Sequence, residues 1–333
     1  MEFRLEHRRY QLPFRSTVRT AHGPWELRQG LYVRLEAADG SVGFGEASPV
    51  PGFGDETVEA DEAQCLALGG KLDAASLSRV PRALGALRRA LASAMNPLPL
   101  PLHKSLAVAA LLPAGRAALL SAPEKVEAGF RVFKWKVAVE AADDELAMLD
   151  DLIALLPHGS SIRLDANGGW NLRTAERWLD RASGRPVEFI EQPLARDMKG
   201  AEDALMGLSG DYPVALALDE SLVGDADVSR WIDLGWKGFF VAKPALLGDA
   251  AQTLGRLSAA GARVVFSSAL ETGLGARVSL GIAFAWPGNR CALGFGVWPL
   301  FVDARYDGPA AAPFLRFDDV KRLDPSTLWN ATI

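Results

Sequence analysis

RVFKWKV (131–137), SIRLDAN (161–167), VEFIEQP (187–193), VALALDE (214–220) and GFFVAKP (238–244) are short apolar runs that each carry charge at or near the carboxyl end. Lys136, Asp165, Glu191, Asp219 and Lys243 follow one another at steps of 24 to 29 residues. One strand-plus-helix unit of a β/α barrel takes roughly 30 residues. In such barrels the carboxyl ends of the strands form the mouth where active sites are built, whereas charge elsewhere on a buried strand costs desolvation without return. The pattern predicts an enzyme.

Outward from these runs, SLAVAALL (105–112), RVVFSSA (263–269) and RCALGFG (290–296) complete eight strand candidates. Helical stretches such as Asp143 to Leu156 and Thr174 to Ala182 lie between them. Strands alternating with helices imply a parallel sheet, and near-continuous apolar runs fit strands covered on both faces. The expected fold is α/β, a (β/α)8-type barrel. Residues 1 to about 100 read differently. RLEHRRYQLPF (4–14) and GLYVRLEAADGSVGFGEAS (30–48) look like antiparallel strands with a hairpin turn at ADG, and Asp55 to Leu68 and Arg82 to Met95 look helical. The prolines of NPLPLP (96–101) disfavour helix and sheet and mark a boundary. An α+β domain over 1–100 is therefore expected before a barrel over 101–302, with the tail 303–333 packing back on the first domain. The Gly-Phe-Gly pieces at 43–45, 52–54 and 294–296 match no phosphate-loop pattern and read as turns.

The 333 residues, 49% apolar and 23% charged with net charge −5, describe a soluble globular chain with a sizeable core. No Lys/Arg stripe tracks a phosphate backbone, so nucleic acid is not an expected partner. No signal-type or membrane-spanning segment stands out, and Cys65 and Cys291 lack metal spacing, which reads as a cytoplasmic protein. Nothing in the sequence sets an oligomeric state.

Residues two apart on a strand share a face, so Lys134 and Lys136 both enter the barrel while Trp135 faces outward. Alternating lysines usually mark a solvated face, but the flanking Val132, Phe133 and Val137 argue for burial. In VALALDE the inward set is Ala215, Ala217 and Asp219. A single acid at a strand end is commonly a helix cap; Asp165, Glu191 and Asp219 at one stride are not. Three converging carboxylates repel unless a cation sits among them, and oxygen ligands without His or Cys favour Mg2+, with Mn2+ as a substitute. A carboxylate substrate bound to that ion could lose its α-proton to an amine. An amine works as a base near neutrality only where neighbouring positive charge disfavours its protonated form. Lys136, beside Lys134, has that setting, and Lys243 would face it across the barrel. Glu220 reads as a helix cap or a support for a lysine. His7, His22, His103 and His158 fall outside these strand ends, which argues against a histidine base.

With FKWK, RLDANGGW, FIEQP, LDESL, AKP and SSALETGLG in order, and RQGLYVRLEAADGSVGFGEASPVPGFGDET before them, the chain resembles the enolase superfamily over roughly Gly30 to Gly275. The likeness is to its paired-lysine branch, the o-succinylbenzoate synthases above all. It implies an enolase-like modified TIM barrel under an N-terminal capping domain, with Asp165, Glu191 and Asp219 as magnesium ligands. It further implies Lys136 as general base, Lys134 as its assistant, and Lys243 stabilising the other face of the substrate ring. The implied reaction is syn-dehydration of 2-succinyl-6-hydroxy-2,4-cyclohexadiene-1-carboxylate to 2-succinylbenzoate, in menaquinone or phylloquinone biosynthesis. Arg163, Ser267, Ser268 and the amides near Gly273 are candidate contacts for the succinyl carboxylate. The rivals are an N-acylamino-acid racemase or dipeptide epimerase of the same superfamily and, from another class, a non-catalytic ligand-binding barrel. Epimerases of this kind place acids at the last barrel strand, where CALGFGVWPL is apolar. Sugar-acid dehydratases use a histidine base.

Overall fold

The structure, a computed structural model, describes residues 2–20 and 23–332; His22 lies outside them. The amino-terminal part is a four-stranded antiparallel sheet of β1 (Phe3–Thr20), β2 (Gly23–Ala37), β3 (Val42–Ala47) and the short β4 (Lys71–Leu72), in the order β3-β2-β1-β4. Leu31, Val33 and Leu35 alternate onto one face, where they meet α1 (Val58–Ala67) and α3 (Gly85–Met95); α2 (Ala74–Arg79) precedes α3. Tyr32 points to the opposite face and a second apolar cluster.

Gly43 and Gly45, expected as turn residues, lie inside β3. A Cβ built on them would come within 1.9 and 2.0 Å of the Ala94 and Ala90 carbonyl oxygens of α3, so glycine here permits close helix–sheet packing. Gly52 and Gly54 do sit in a turn, both with positive φ.

Beyond Asn96–Pro101, which carries no helix or strand, the expected strand over 105–112 is two. β5 (Ser105–Ala107) pairs antiparallel with β13 (Phe314–Arg316) of the tail, and only β6 (Ala110–Leu112) enters the barrel. The parallel sheet continues through β7 (Val132–Lys136), β8 (Ser161–Asp165), β9 (Val187–Glu191), β10 (Leu216–Leu218), β11 (Phe239–Ala242) and β12 (Arg263–Phe266), in chain order. Its helices are α4 (Ala117–Glu127), α5 (Ala142–Leu155), α6 (Leu172–Ala182), α7 (Ala201–Asp211), α8 (Asp225–Asp233), α9 (Ala250–Ala259) and α10 (Gly273–Phe284).

The expected eighth strand, 290–296, is instead a crossing segment that closes the barrel through the single bridges Val108 to Leu293 and Ser267 to Gly294. Its glycines allow that approach. A Cβ on Gly294 would lie 2.5 Å from Ser267 Oγ, and one on Gly296 2.5 Å from the Ala109 carbonyl oxygen. Inside the barrel, Phe189, Ala217, Phe239, Val241 and Val265 form the core, while Leu216 and Leu218 face the helices, as the alternation predicts. In the tail, Val320 of α11 (Phe317–Lys321) joins the barrel's outer cluster, and Leu328 and Trp329 of α12 (Pro325–Ala331) pack with Tyr10, Phe14 and Tyr32. No helix among the described residues is long and apolar enough to cross a membrane.

One polar feature lies in the amino-terminal core. Glu56 accepts the Ala86 and Leu87 amides at 3.0 Å, capping α3, and Asp61 is fully buried beside it with no N–H or O–H donor to either oxygen. A proton held between the two carboxyl groups would supply that donor and relieve their repulsion. Burial, and then the charge of Glu56, push Asp61 up to about 9. Unfolded, an aspartate titrates near 3.9. Between those values the folded chain keeps a proton that the unfolded chain has lost, so this group's contribution to stability declines as pH rises from about 4 to about 9. The substitution Asp61→Asn keeps a donor toward Glu56 and removes the titration. Urea unfolding across that window should show it gaining stability relative to the parent as pH increases; a difference independent of pH would rule out the shared proton.

Candidate active site

Lys134, Lys136, Asp165 and Glu191 lie on β7, β8 and β9, and Asp219 and Lys243 sit one residue past β10 and β11. Register places Lys136, Asp165 and Glu191 side by side at one level, with Lys134, Arg163 and Phe189 one level below. All six expected charges therefore reach the same end of the barrel, and the three acids stand on neighbouring strands.

The acids are held in two groups. Lys134 Nζ bridges Glu191 at 2.7 Å and Asp165 at 3.0 Å, and Lys243 Nζ is paired with Asp219. Among the described residues no three acidic, His or Cys side chains gather as a ready metal cage. Each acid takes the nearest positive charge, an ammonium. Oxygen-only donors from three adjacent strand ends fit a hard dication such as Mg2+, which Asp165, Glu191 and Asp219 would hold.

The pairing sets the electrostatics. Burial opposes the charged form of Lys134, but Asp165 and Glu191 outweigh it and hold the group above its ordinary value. Asp165 resists the same burial because Lys134 and Lys136 keep it low, whereas burial prevails at Glu191 and raises it. Lys243 is the opposite of Lys134. Burial lowers it to about 7 against the pull of Glu191, and its pairing with Asp219 also favours the ammonium. Phe53 of the amino-terminal part lies 4.5 Å from the Lys243 Nζ, ring centroid to nitrogen.

Two residues inside the quoted motifs carry positions that sequence reasoning missed. Asn167 Oδ1 accepts from Lys136 Nζ at 2.6 Å, and its Nδ2 donates to Glu220 Oε1 at 2.9 Å, so Glu220 fixes which end of the amide faces the lysine. Burial and the Asp165 charge raise Glu220 to about 7. Gln192, fully buried, accepts the Asp219 and Ser221 amides at 3.0 Å and thereby orients the end of β10. Both adopt positive φ, 44° and 39°, a strain that clusters at functional sites. The available signal was an amide side chain next to, or two residues past, a strand-end acid.

The softer candidates fare differently. Arg163 lies inside the barrel below the acids, with Nε on Glu188 at 2.7 Å and Nη1 on the Ala292 carbonyl at 2.8 Å. Ser267 Oγ donates to the Gly294 carbonyl, and Ser268 Oγ to Glu271 Oε2 at 2.6 Å. The amides around Gly273 are largely used. Glu46 of β3 accepts from Thr272 N at 3.0 Å, Thr272 Oγ1 at 2.5 Å, Gly275 N at 2.8 Å and Tyr10 OH at 2.6 Å. The start of α10 is thus capped from the amino-terminal part. A cavity of about 840 Å3 lies elsewhere, in the seam lined by Phe53, Glu56, Arg82, Asp225, Arg230 and Asp249, without the strand-end lysines or acids.

The family described as enolase C-terminal domain-like matches residues 118–313, and that described as MenC, N-terminal domain, matches residues 4–82. An o-succinylbenzoate synthase of Thermosynechococcus vestitus is 42% identical over 302 residues, 88% of this chain and 92% of the relative. Another, of Yersinia enterocolitica, is 30% identical over 281 residues, 80% and 82%. A crystal structure of o-succinylbenzoate synthase from Thermosynechococcus elongatus BP-1, complexed with magnesium in the active site, matches with a TM-score of 0.82 and 37% identity over 98% of this chain and 99% of that one. A parallel β/α barrel under an antiparallel cap, with acids opposed to amines at its mouth, is the architecture of the enolase superfamily. Within it, the chain belongs to the o-succinylbenzoate synthase family.

Removing Lys134 would leave Asp165 and Glu191 buried without their shared counter-charge. Replacing it, as Lys134→Met, should cost about 3–5 kcal/mol in urea unfolding, and millimolar MgCl2 should recover much of that loss. A loss indifferent to Mg2+ would mean that these acids do not bind the ion.

Proposed function

We propose that this chain catalyses the Mg2+-dependent syn-dehydration of 2-succinyl-6-hydroxy-2,4-cyclohexadiene-1-carboxylate to 2-succinylbenzoate, a carbon–oxygen lyase step of menaquinone or phylloquinone biosynthesis. The observation that carries the assignment is the meeting of Lys134 and Lys136 with Asp165 and Glu191 on adjacent strand ends, faced by Asp219 and Lys243. When bound by Asp165, Glu191 and Asp219, Mg2+ supplies positive charge against the negative charge that develops on the substrate carboxylate.

Lys136, as the free amine, takes the ring proton next to that carboxylate. The electron pair left behind forms the new ring double bond as the carbon–oxygen bond breaks. The proton on Lys136 passes to the departing hydroxide on the same face, so one residue serves as base and then acid and water is released. Asn167 and Glu220 hold Lys136 at the strand end, and Lys134 adds positive charge beside it. Lys243, separated from Lys136 by the three strands β8 to β10, stabilises the opposite face of the ring. Phe53 covers it from the amino-terminal part, which fits a division into a cap of residues 1–100 with 303–333 and a catalytic barrel of 101–302. Two unpaired cysteines and a small organic acid as substrate accord with work in the cytoplasm.

Opposed amines also suit proton transfer at one carbon, so an N-succinyl amino acid is the informative control substrate. The apolar segment around Ala292 and Leu293, both buried, offers no acid for the ammonium of a dipeptide. The substitution Lys136→Ala should lower turnover of the cyclohexadiene acid by roughly 10²–10⁴-fold with the circular dichroism spectrum retained. Undiminished turnover would remove Lys136 as the base.

A further inference from the structure

Arg28 of β2 has no solvent-exposed surface, and carbonyl oxygens receive its guanidinium. Nε donates to Leu270 at 2.9 Å; Nη1 donates to Pro49 at 2.7 Å and Gln29 at 3.3 Å; Nη2 donates to Ala269 at 3.2 Å and to Ser48. Apart from Gln29 of β2 itself, the acceptors fall in two groups. Ser48 and Pro49 follow β3 in the amino-terminal part, while Ala269 and Leu270 follow β12 in the barrel.

A buried charge is costly unless fully hydrogen-bonded, and replacing a buried polar cluster by apolar groups is often neutral or stabilising. Stability alone is therefore a weak reason for a guanidinium here. What it does mechanically is specific. Pro49 leads directly into the turn Val50-Pro51-Gly52-Phe53, closed by the Phe53 amide on the Val50 carbonyl at 2.9 Å, with φ of +81° at Gly52. Proline at the second and glycine at the third position make this a stiff turn, so holding Pro49 sets where Phe53 lies over Lys243. On the other side, Leu270 has φ of +59°, a conformation uncommon for a non-glycine residue that needs surrounding support. Arg28 supplies it at the Leu270 carbonyl, just past Ser267 and Ser268. The planar five-donor fork matches this divided set of acceptors, which three rotating donors on a lysine ammonium do not.

We propose that Arg28 is a positioning residue for substrate binding, one guanidinium that registers the Phe53 loop and the Ser267–Thr272 loop against each other across the mouth. The kinetic part rests on the dehydratase activity assigned above; the structural part does not. Hydrogen exchange tests the latter without substrate. In Arg28→Lys, amides of residues 49–56 and 267–272 should exchange faster together, by roughly tenfold, while β1 to β3 stay at parental rates. Kinetics with the cyclohexadiene acid and Mg2+ should show KM raised roughly tenfold with kcat within about threefold of the parent. Phe53→Ala should have a similar effect, and the Arg28→Lys/Phe53→Ala double variant should be no worse than the weaker single.

Inactive parent protein on this acid would sink the dehydratase assignment and leave the exchange result to decide on Arg28. Parental exchange in Arg28→Lys, acceleration in one loop only, or additive kinetic losses would each overturn the positioning role. So would the failure of both Arg28→Lys and Arg28→Met to fold, which would make Arg28 a stability residue.

Discussion

Charge buried at the carboxyl ends of the strands has to be neutralised locally, and the site follows from how that is achieved. Asp165 and Glu191 are nearly devoid of solvent contact, at 2% and 1% exposure, and share the ammonium of Lys134. Asp219 is matched by Lys243 at the end of the neighbouring strand. An acid or amine left alone in that environment would shed its charge. The same lattice of alternating sign is what a reaction passing through an enolate-like state requires: compensating charge fixed in place before the proton moves.

The joint between cap and barrel is also polar, although apolar clusters surround it. Glu46 reaches from β3 to the first turn of α10, completing amides that a helix leaves without partners. Arg28 reaches from β2 to carbonyl groups at the start of the same connection. A carboxylate on N–H groups and a guanidinium on C=O groups fix orientation as well as separation, which an apolar contact does not do. The mouth is therefore shaped by residues that touch neither its acids nor its lysines.

Much of the charged cluster at the barrel mouth was legible because period-two alternation and a recurring stride are local facts. Lys134 with Lys136, and Ala215 with Ala217, occupy the faces that the alternation assigns. Arg163 shows the limit. It shares the strand face of Asp165 but sits one layer deeper, where Glu188 and Ala292 engage it, and layer depth depends on the register between strands. Gly43 and Gly45 show another. A glycine in a turn and a glycine under a helix look alike in sequence, and only the approach of α3 separates them.

The chain order of residues alone determined that acids and amines would recur once per β/α unit, hence a barrel with those charges gathered at one end. Tertiary structure decided the rest. It split the first barrel strand between the tail and the sheet, and closed the barrel with a glycine crossing in place of an eighth strand. It turned Asn167 and Gln192 into supports for Lys136 and Asp219, and filled the amino terminus of α10 with Glu46. Periodicity is a property of neighbours along the chain, whereas each of these contacts joins residues that only folding brings together.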